Sequence, residues 1–196
     1  MKALIAGAGI GGLATGIALR KAGLELKLFE RSREMREIGA GLMIWPNGTR
    51  ALQALGVEVR AMTIDSLFFR NWRGRLLMEP PLRAISERYG SNIAVVHRAD
   101  LQSALVKSLG REVLNLGADV SGFEDAGAQV VVKLRDGTSD GGDLLIGADG
   151  LRSTVRRQLL ADGDPVSSLD SASTGSGAAR NSSPSTLRTT AFTGPA

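Results

Sequence analysis

An α/β fold, a parallel sheet flanked by helices with a small antiparallel sheet laid over it, is predicted by three features of this 196-residue sequence. A short apolar run at residues 3–6 ends in Gly7 and passes into a 3.6-residue apolar rhythm through Leu13, Ile17 and Leu19. A second strand, 24–29, follows the stop at Gly23 and completes a strand–helix–strand unit. Far downstream, a buried parallel strand at 144–146 meets the turn Gly147-Ala148-Asp149-Gly150 and a helix over 153–160.

The first unit is Rossmann-like. Gly7 permits a tight turn after the strand, Gly9 lets backbone come close to a diphosphate, and Gly12 lets the helix lie close on the strand. The helix N-terminus then offers free N–H groups and the positive end of a dipole to phosphate oxygens. Glu30 closes the second strand at about the twenty-residue offset at which an acid reaches a ribose diol. An acid there disfavours a 2′-phosphate, so the unit fits FAD or NAD better than NADP. Three glycines alone are a weak signal; a strand before them, a helix after them and the acid make a dinucleotide site the stronger reading over a chance glycine-rich turn.

The chain is long enough to bury a core. It has no cysteine and one histidine, His97, which excludes disulfides, thiolate metal sites and a histidine cluster for a metal. Lys2 precedes a long uncharged stretch, but its glycines and alanines are too weakly apolar for a signal peptide or a membrane span, and a charged amphipathic continuation follows. The net charge of +4 is scattered and interleaved with acids, and aromatic residues, at 4%, are too few for a base-stacking platform. The expectation is a cytoplasmic protein without a nucleic-acid or membrane partner.

Beyond the first unit, residues 31–37 read as an exposed charged exit. Gly39 and Gly41 interrupt any helix, Pro46 and Asn47 make a turn into a helix over 48–55, and Trp45 reads as core. Here the text GAGIGGLATGIALRKAG…FERS…REIGAGLMIWPNGTRALQALG closely resembles the N-terminus of the single-component FAD-dependent aromatic-ring monooxygenases, the group of salicylate- and urate-hydroxylase-like enzymes. The resemblance implies that Gly7, Gly9, Ile10, Gly11 and Gly12 wrap the FAD pyrophosphate. It also implies that Glu30 holds the ribose and that Arg31 and Met43 line the cofactor.

Short apolar pieces at 66–70 and 75–78 around Asn71 to Gly74 read as a hairpin, in a region (about 57–96) where the family has part of its substrate-domain sheet. A buried strand at 93–96 leads into an amphipathic helix over 97–110 with Leu101, Leu105 and Leu109 on one stripe and Asp100 supporting its first turn. Taken alone, Arg98 is a surface arginine at a helix start; the resemblance of HRADL to the family implies that it meets the FAD phosphate or ribityl chain. His97 reads as a satisfied or packing histidine rather than a base. Strands at 113–116, 118–123 and 129–134 form the small antiparallel sheet, and the resemblance places adenine near Val120.

The second fingerprint, GGDLLIGADGLRSTVRRQLL, resembles the family's motif GADGxxSxvR, whose aspartate, Asp149 here, is associated with FAD and with the reduced nicotinamide. By its turn geometry alone, Asp149 is a helix cap. Past Leu160 the text is rich in Ser, Thr, Gly, Ala and Pro and reads as disordered. The family's third motif, Gly-Asp-Ala-Ala-His-Pro, is absent. The expected organisation is a partial FAD-binding domain at 1–160 and a low-complexity tail at 161–196, in a truncated or frame-shifted member of the family.

What the resemblance implies for function is the FAD-binding portion of a monooxygenase that hydroxylates a small aromatic or heteroaromatic substrate with NAD(P)H and O2, incomplete and inactive as this chain alone. No side chain is placed as a nucleophile or an acid/base pair, in keeping with chemistry carried by the cofactor. The alternatives are a non-catalytic FAD- or ADP-binding remnant and an NAD-dependent reductase. The reductase is disfavoured because Tyr89 is solitary and no Tyr-x-x-x-Lys pair supplies a proton.

Overall fold

The structure is a computed structural model that describes residues 1–35, 41–161 and 163. In chain order its elements are β1 (Lys2–Ala6), α1 (Ile10–Lys21), β2 (Glu25–Glu30), β3 (Gly41–Ile44), α2 (Pro46–Leu55), β4 (Met62–Thr63), β5 (Phe69–Arg70), β6 (Leu76–Met78), α3 (Leu82–Tyr89), β7 (Ala94–His97), α4 (Arg98–Leu109), β8 (Leu114–Leu116), β9 (Val120–Asp125), β10 (Val130–Leu134), β11 (Ser139–Gly142), β12 (Leu144–Gly147) and α5 (Thr154–Leu160). The tail expected to be disordered lies, apart from Ala161 and Gly163, outside the described residues, as does the interrupting Gly39.

A parallel sheet in the order β12-β1-β2-β8 carries the molecule. β1 is central, paired from Ala3↔Leu144 to Ala6↔Gly147 on one side and with β2 on the other, and its residues 3–6 are fully buried. A strand covered on both faces needs such an unbroken apolar run. Alternate side chains then serve two cores. Ile5 and Leu28 face Leu13 and Ile17 of α1 and Leu105 and Leu109 of α4. Leu4 and Phe29 face Val120, Val132 and Val155, which come from the antiparallel sheet β11-β10-β9 and from α5.

Asp140 on β11 ties this second layer to the parallel sheet, accepting from Lys2 Nζ at 2.6 Å and from Lys27 Nζ. Burial pushes its carboxyl up, but the hydrogen bonds and charges of the two lysines outweigh burial and hold it below the ordinary aspartate value. A further antiparallel sheet, β3-β7-β4, and the hairpin β5–β6 stand apart from the parallel sheet. At the hairpin turn Asn71 Oδ1 accepts from the N–H groups of Arg73 and Arg75.

Several expectations need correction. The run at 113–116 does not join the antiparallel sheet: β8 pairs parallel with β2, from Leu28↔Leu114 to Glu30↔Leu116. It follows α4, which packs on α1, so the chain returns to the same sheet in the same direction. The third antiparallel strand is β11, which no apolar pattern announced. β12 is only half-buried because it is an edge strand. The stretch containing Gly41 forms strand β3 against β7, and Pro46 starts α2 with Trp45 at its N-cap, 44% exposed and outside the core. His97 is exposed too, at the end of β7 and the N-cap of α4, and lies outside the core.

Candidate functional site

β1 and β12 run parallel and end together, so the turns after Ala6 and after Gly147 meet at the carboxyl end of the sheet, where open α/β sheets bind ligands. Ala148 N–H donates to Ala6 O at 2.8 Å and Gly7 N–H to Phe29 O at 2.7 Å. Gly7 has φ +96°, and a Cβ on it would stand 2.3 Å from Ala148 O. A Cβ on Gly12 would stand 1.9 Å from Gly7 O. Both glycines are therefore required by protein closing on protein.

Gly9 and Gly11 differ. A Cβ on either would meet nothing within 4 Å. Gly9 is the N-cap of α1 and no side chain caps that helix. Among the described residues no side chain accepts from the first-turn N–H groups at Ile10, Gly11 and Gly12, and the space over Gly9 and Gly11 is open.

Glu30 fixes the opposite wall. Its Oε2 accepts from Ala8 N–H and its Oε1 from Ser32 N–H, each at 3.0 Å. An ionised carboxylate has about four acceptor positions, so two remain for a diol.

The turns border a cleft of about 320 Å³ that brings together Gly7, Gly9, Glu30, Arg31, Arg98, Val120 and Asp149, at the small end of the range for ligand pockets. Arg98 enters as the first residue of α4. Val120 is aimed by a bulge in β9: Gly122 pairs with Lys133 and Val120 with Leu134, which leaves Ser121 as the extra residue. Asp149 caps α5. It accepts from Ser153 Oγ and from the N–H groups of Thr154, at 2.7 Å, and Val155, at 3.2 Å, while Ser153 Oγ accepts from Arg156 N–H at 2.9 Å.

Of the other residues singled out in the sequence, Ile10, Gly11 and Gly12 form the first turn of α1, next to Gly9, and are not themselves among the residues that line the cleft. Met43 lies on β3 opposite Val95 and does not line the cleft. The cleft also contains Ser32, Asp119 and Arg152, which sequence reasoning missed. Arg152 carried a signal, as a cation inside the second fingerprint; Asp119, held by Arg135 Nε at 2.7 Å, carried none. A second depression, about 360 Å³ beside α4 and lined by Met35, Val106, Lys107 and Arg111 among others, shares no residue with the cleft.

Uncapped amides, open space over glycine, a carboxylate with spare acceptor capacity and arginines at the rim together fit a diphosphate joined to a ribose. Among the described residues no group of three or more His, Asp or Glu could hold a metal ion, and no helix is long and apolar enough to cross a membrane.

The family model described as FAD binding domain matches residues 1–174. The chain is similar to the aurachin C monooxygenase/isomerase of Stigmatella aurantiaca, 42% identical over 166 residues that cover 83% of this chain and 43% of the relative. It is similar to the FAD-dependent urate hydroxylase of Klebsiella pneumoniae, 35% identical over 165 residues, 82% of this chain and 43% of that one. Among solved structures, Klebsiella pneumoniae HpxO complexed with FAD and uric acid superposes with a TM-score of 0.74 at 35% identity, covering 81% of this chain and 41% of that chain. The chain thus spans about 43% of the length of these curated relatives.

Proposed function

The chain belongs to the FAD binding domain family, and from that premise we propose that it is the cofactor-holding part of a flavin-dependent monooxygenase that hydroxylates an aromatic or heteroaromatic substrate with NAD(P)H and O2. The observation that carries the reading is the uncapped N-terminus of α1, with open space over Gly9 and the Glu30 carboxylate fixed beside it. In this reading the N–H groups of residues 10–12 receive the diphosphate and Glu30 accepts from the ribose hydroxyls. Val120 faces the adenine, and Arg31, Arg98 and Asp149 border the rest of the nucleotide. Met43 and the exposed hairpin region, within 57–96, belong to the flavin and substrate side.

Bound FAD supplies the redox chemistry. The residues of this chain bind and orient; none of them is assigned a proton transfer. The substrate class follows the activities that name the relatives, which include urate and 3-hydroxybenzoate hydroxylation, both on planar, electron-rich rings. Because the chain spans under half of those relatives, the 196 residues are assigned the cofactor and not the complete reaction.

Calorimetric titration of the 196-residue chain with FAD, ADP and FMN tests this. FAD and ADP should bind in competition, and FMN, which lacks the adenylate half and so carries no diphosphate, should not. Equal affinity for FMN and FAD, or no binding of either FAD or ADP, would overturn the reading.

A further inference from the structure

We propose that Gln158 is a positioning residue for the nucleotide cleft: its side-chain amide locks α5 onto the edge of β9 and so sets the separation between the Asp149 turn and the Val120 wall. The proposal rests on the reading above that this cleft takes an adenine dinucleotide. β9 is an outer strand of its sheet, so one row of its backbone groups lacks a strand partner. Gln158 supplies one. Its Oε1 accepts from Phe123 N–H at 3.0 Å and its Nε2 donates to Phe123 O, so that a primary amide takes the place of a peptide from a neighbouring strand.

The location gives the clamp its consequence. The bulge at Ser121, next to Val120, leaves that residue unpaired and disrupts the ladder to β10 locally. Phe123, which Gln158 grips, lies just past the bulge. At the other end, α5 has only seven residues, too few to be stable alone, and begins at the N–H groups held by Asp149. The link from Val120 through Phe123 and Gln158 to Asp149 therefore joins two walls of one cleft. Gly122 leaves room for it, since a Cβ there would stand 3.1 Å from Gln158 Oε1.

The test uses the 196-residue chain with Gln158→Leu, which keeps bulk and removes both hydrogen bonds, and Gly122→Ala, which crowds the amide from the strand side. In the ligand-free protein, amide exchange by NMR should quicken at Phe123, Thr154 and Val155 in Gln158→Leu while residues 3–6 of β1 stay protected. FAD should bind roughly three- to tenfold more weakly, as expected for one or two neutral hydrogen bonds. Gly122→Ala should shift the same amides by less. Unchanged exchange at Thr154 and Val155, or FAD affinity equal to wild type, would overturn the proposal. Failure of wild type to bind FAD would refute the functional reading instead, and the exchange measurement would still decide whether the clamp exists.

Discussion

Glu30 Oε2 accepts from Ala8 N–H at 3.0 Å, so the carboxylate that ends β2 fastens the glycine turn that follows β1. The sequence pattern marks Glu30 as a partner for a sugar. The geometry adds a second duty that it performs without any ligand, because the same carboxylate also orders Ser32 N–H at the start of the next loop.

Glu30→Ala should therefore act on the empty protein as well as on binding. Hydrogen bonds to a charged acceptor are worth about 1.5–3 kcal/mol each; water replaces part of that at a half-buried site, so a loss of roughly 1–3 kcal/mol in urea unfolding is expected. FAD affinity should fall at least about tenfold. Glu30→Gln, which keeps one acceptor oxygen, should lose less on both measures. A variant as stable as wild type would show that the carboxylate does not hold the turn.

Gly7 and Gly9 should respond in opposite ways to alanine. At Gly7 a Cβ meets backbone 2.3 Å away at φ +96°, so Gly7→Ala should cost more than about 2 kcal/mol of stability. At Gly9 a Cβ meets open space at φ −71°, so Gly9→Ala should change stability by less than about 1 kcal/mol. Thermal unfolding of the two variants side by side is the check, and similar losses in both would contradict the assignment of Gly9 to the ligand.

Asp149 takes hydrogen bonds from Ser153 Oγ, Thr154 N–H and Val155 N–H. Asp149→Ala should leave the Thr154 and Val155 N–H groups without their acceptor, with Ser153 still the N-cap, at a cost of about 1–2 kcal/mol, and expose those amides to exchange. Asp149→Asn, which retains one acceptor, should lie between. Unaltered exchange at Thr154 and Val155 in Asp149→Ala would refute the cap.

Asp140 gives the protein a pH dependence of known sign. Its carboxyl is held below the ordinary value in the folded state, so its stabilisation is complete above the unfolded value of about 3.9 and is lost as pH falls through the folded value. Asp140→Asn should lower stability by about 1–2 kcal/mol, by the same amount at pH 7 and pH 5. The gap should narrow only below pH ~3.9. A gap that closed between pH 7 and 5 would assign the effect to another group.

The sheet strands and helices that build the site were legible because each has a local signal: an unbroken apolar run for β1 and a 3.6-residue stripe for α4. β8 was legible as a strand but not in direction, since three residues look alike in parallel and antiparallel pairing and only the packing of α4 on α1 decides. β11, Ser-Asp-Gly-Gly, shows no strand pattern because its glycine serves a close approach: a Cβ on Gly142 would stand 2.7 Å from Leu4 Cγ. Trp45 misled because its type suggests burial while its place, between β3 and α2, is at the surface. Gly7, Gly9 and Glu30 could be read from spacing, whereas Ser32 and Asp119 belong to the cleft only because the loop before β9 is fastened to the end of β2, Gly117 N–H donating to Ser32 O and Ala118 N–H to Glu30 O, each at 2.9 Å.

The central claim is that the turn at Gly9 presents main-chain amides to the diphosphate of FAD. The most direct measurement is an FAD titration of wild type and Gly9→Ala at a temperature where both are folded. Saturable binding by wild type, weakened at least about tenfold in a variant of similar melting temperature, is the predicted result. Equal affinity in the two proteins, or no binding by wild type, would contradict it.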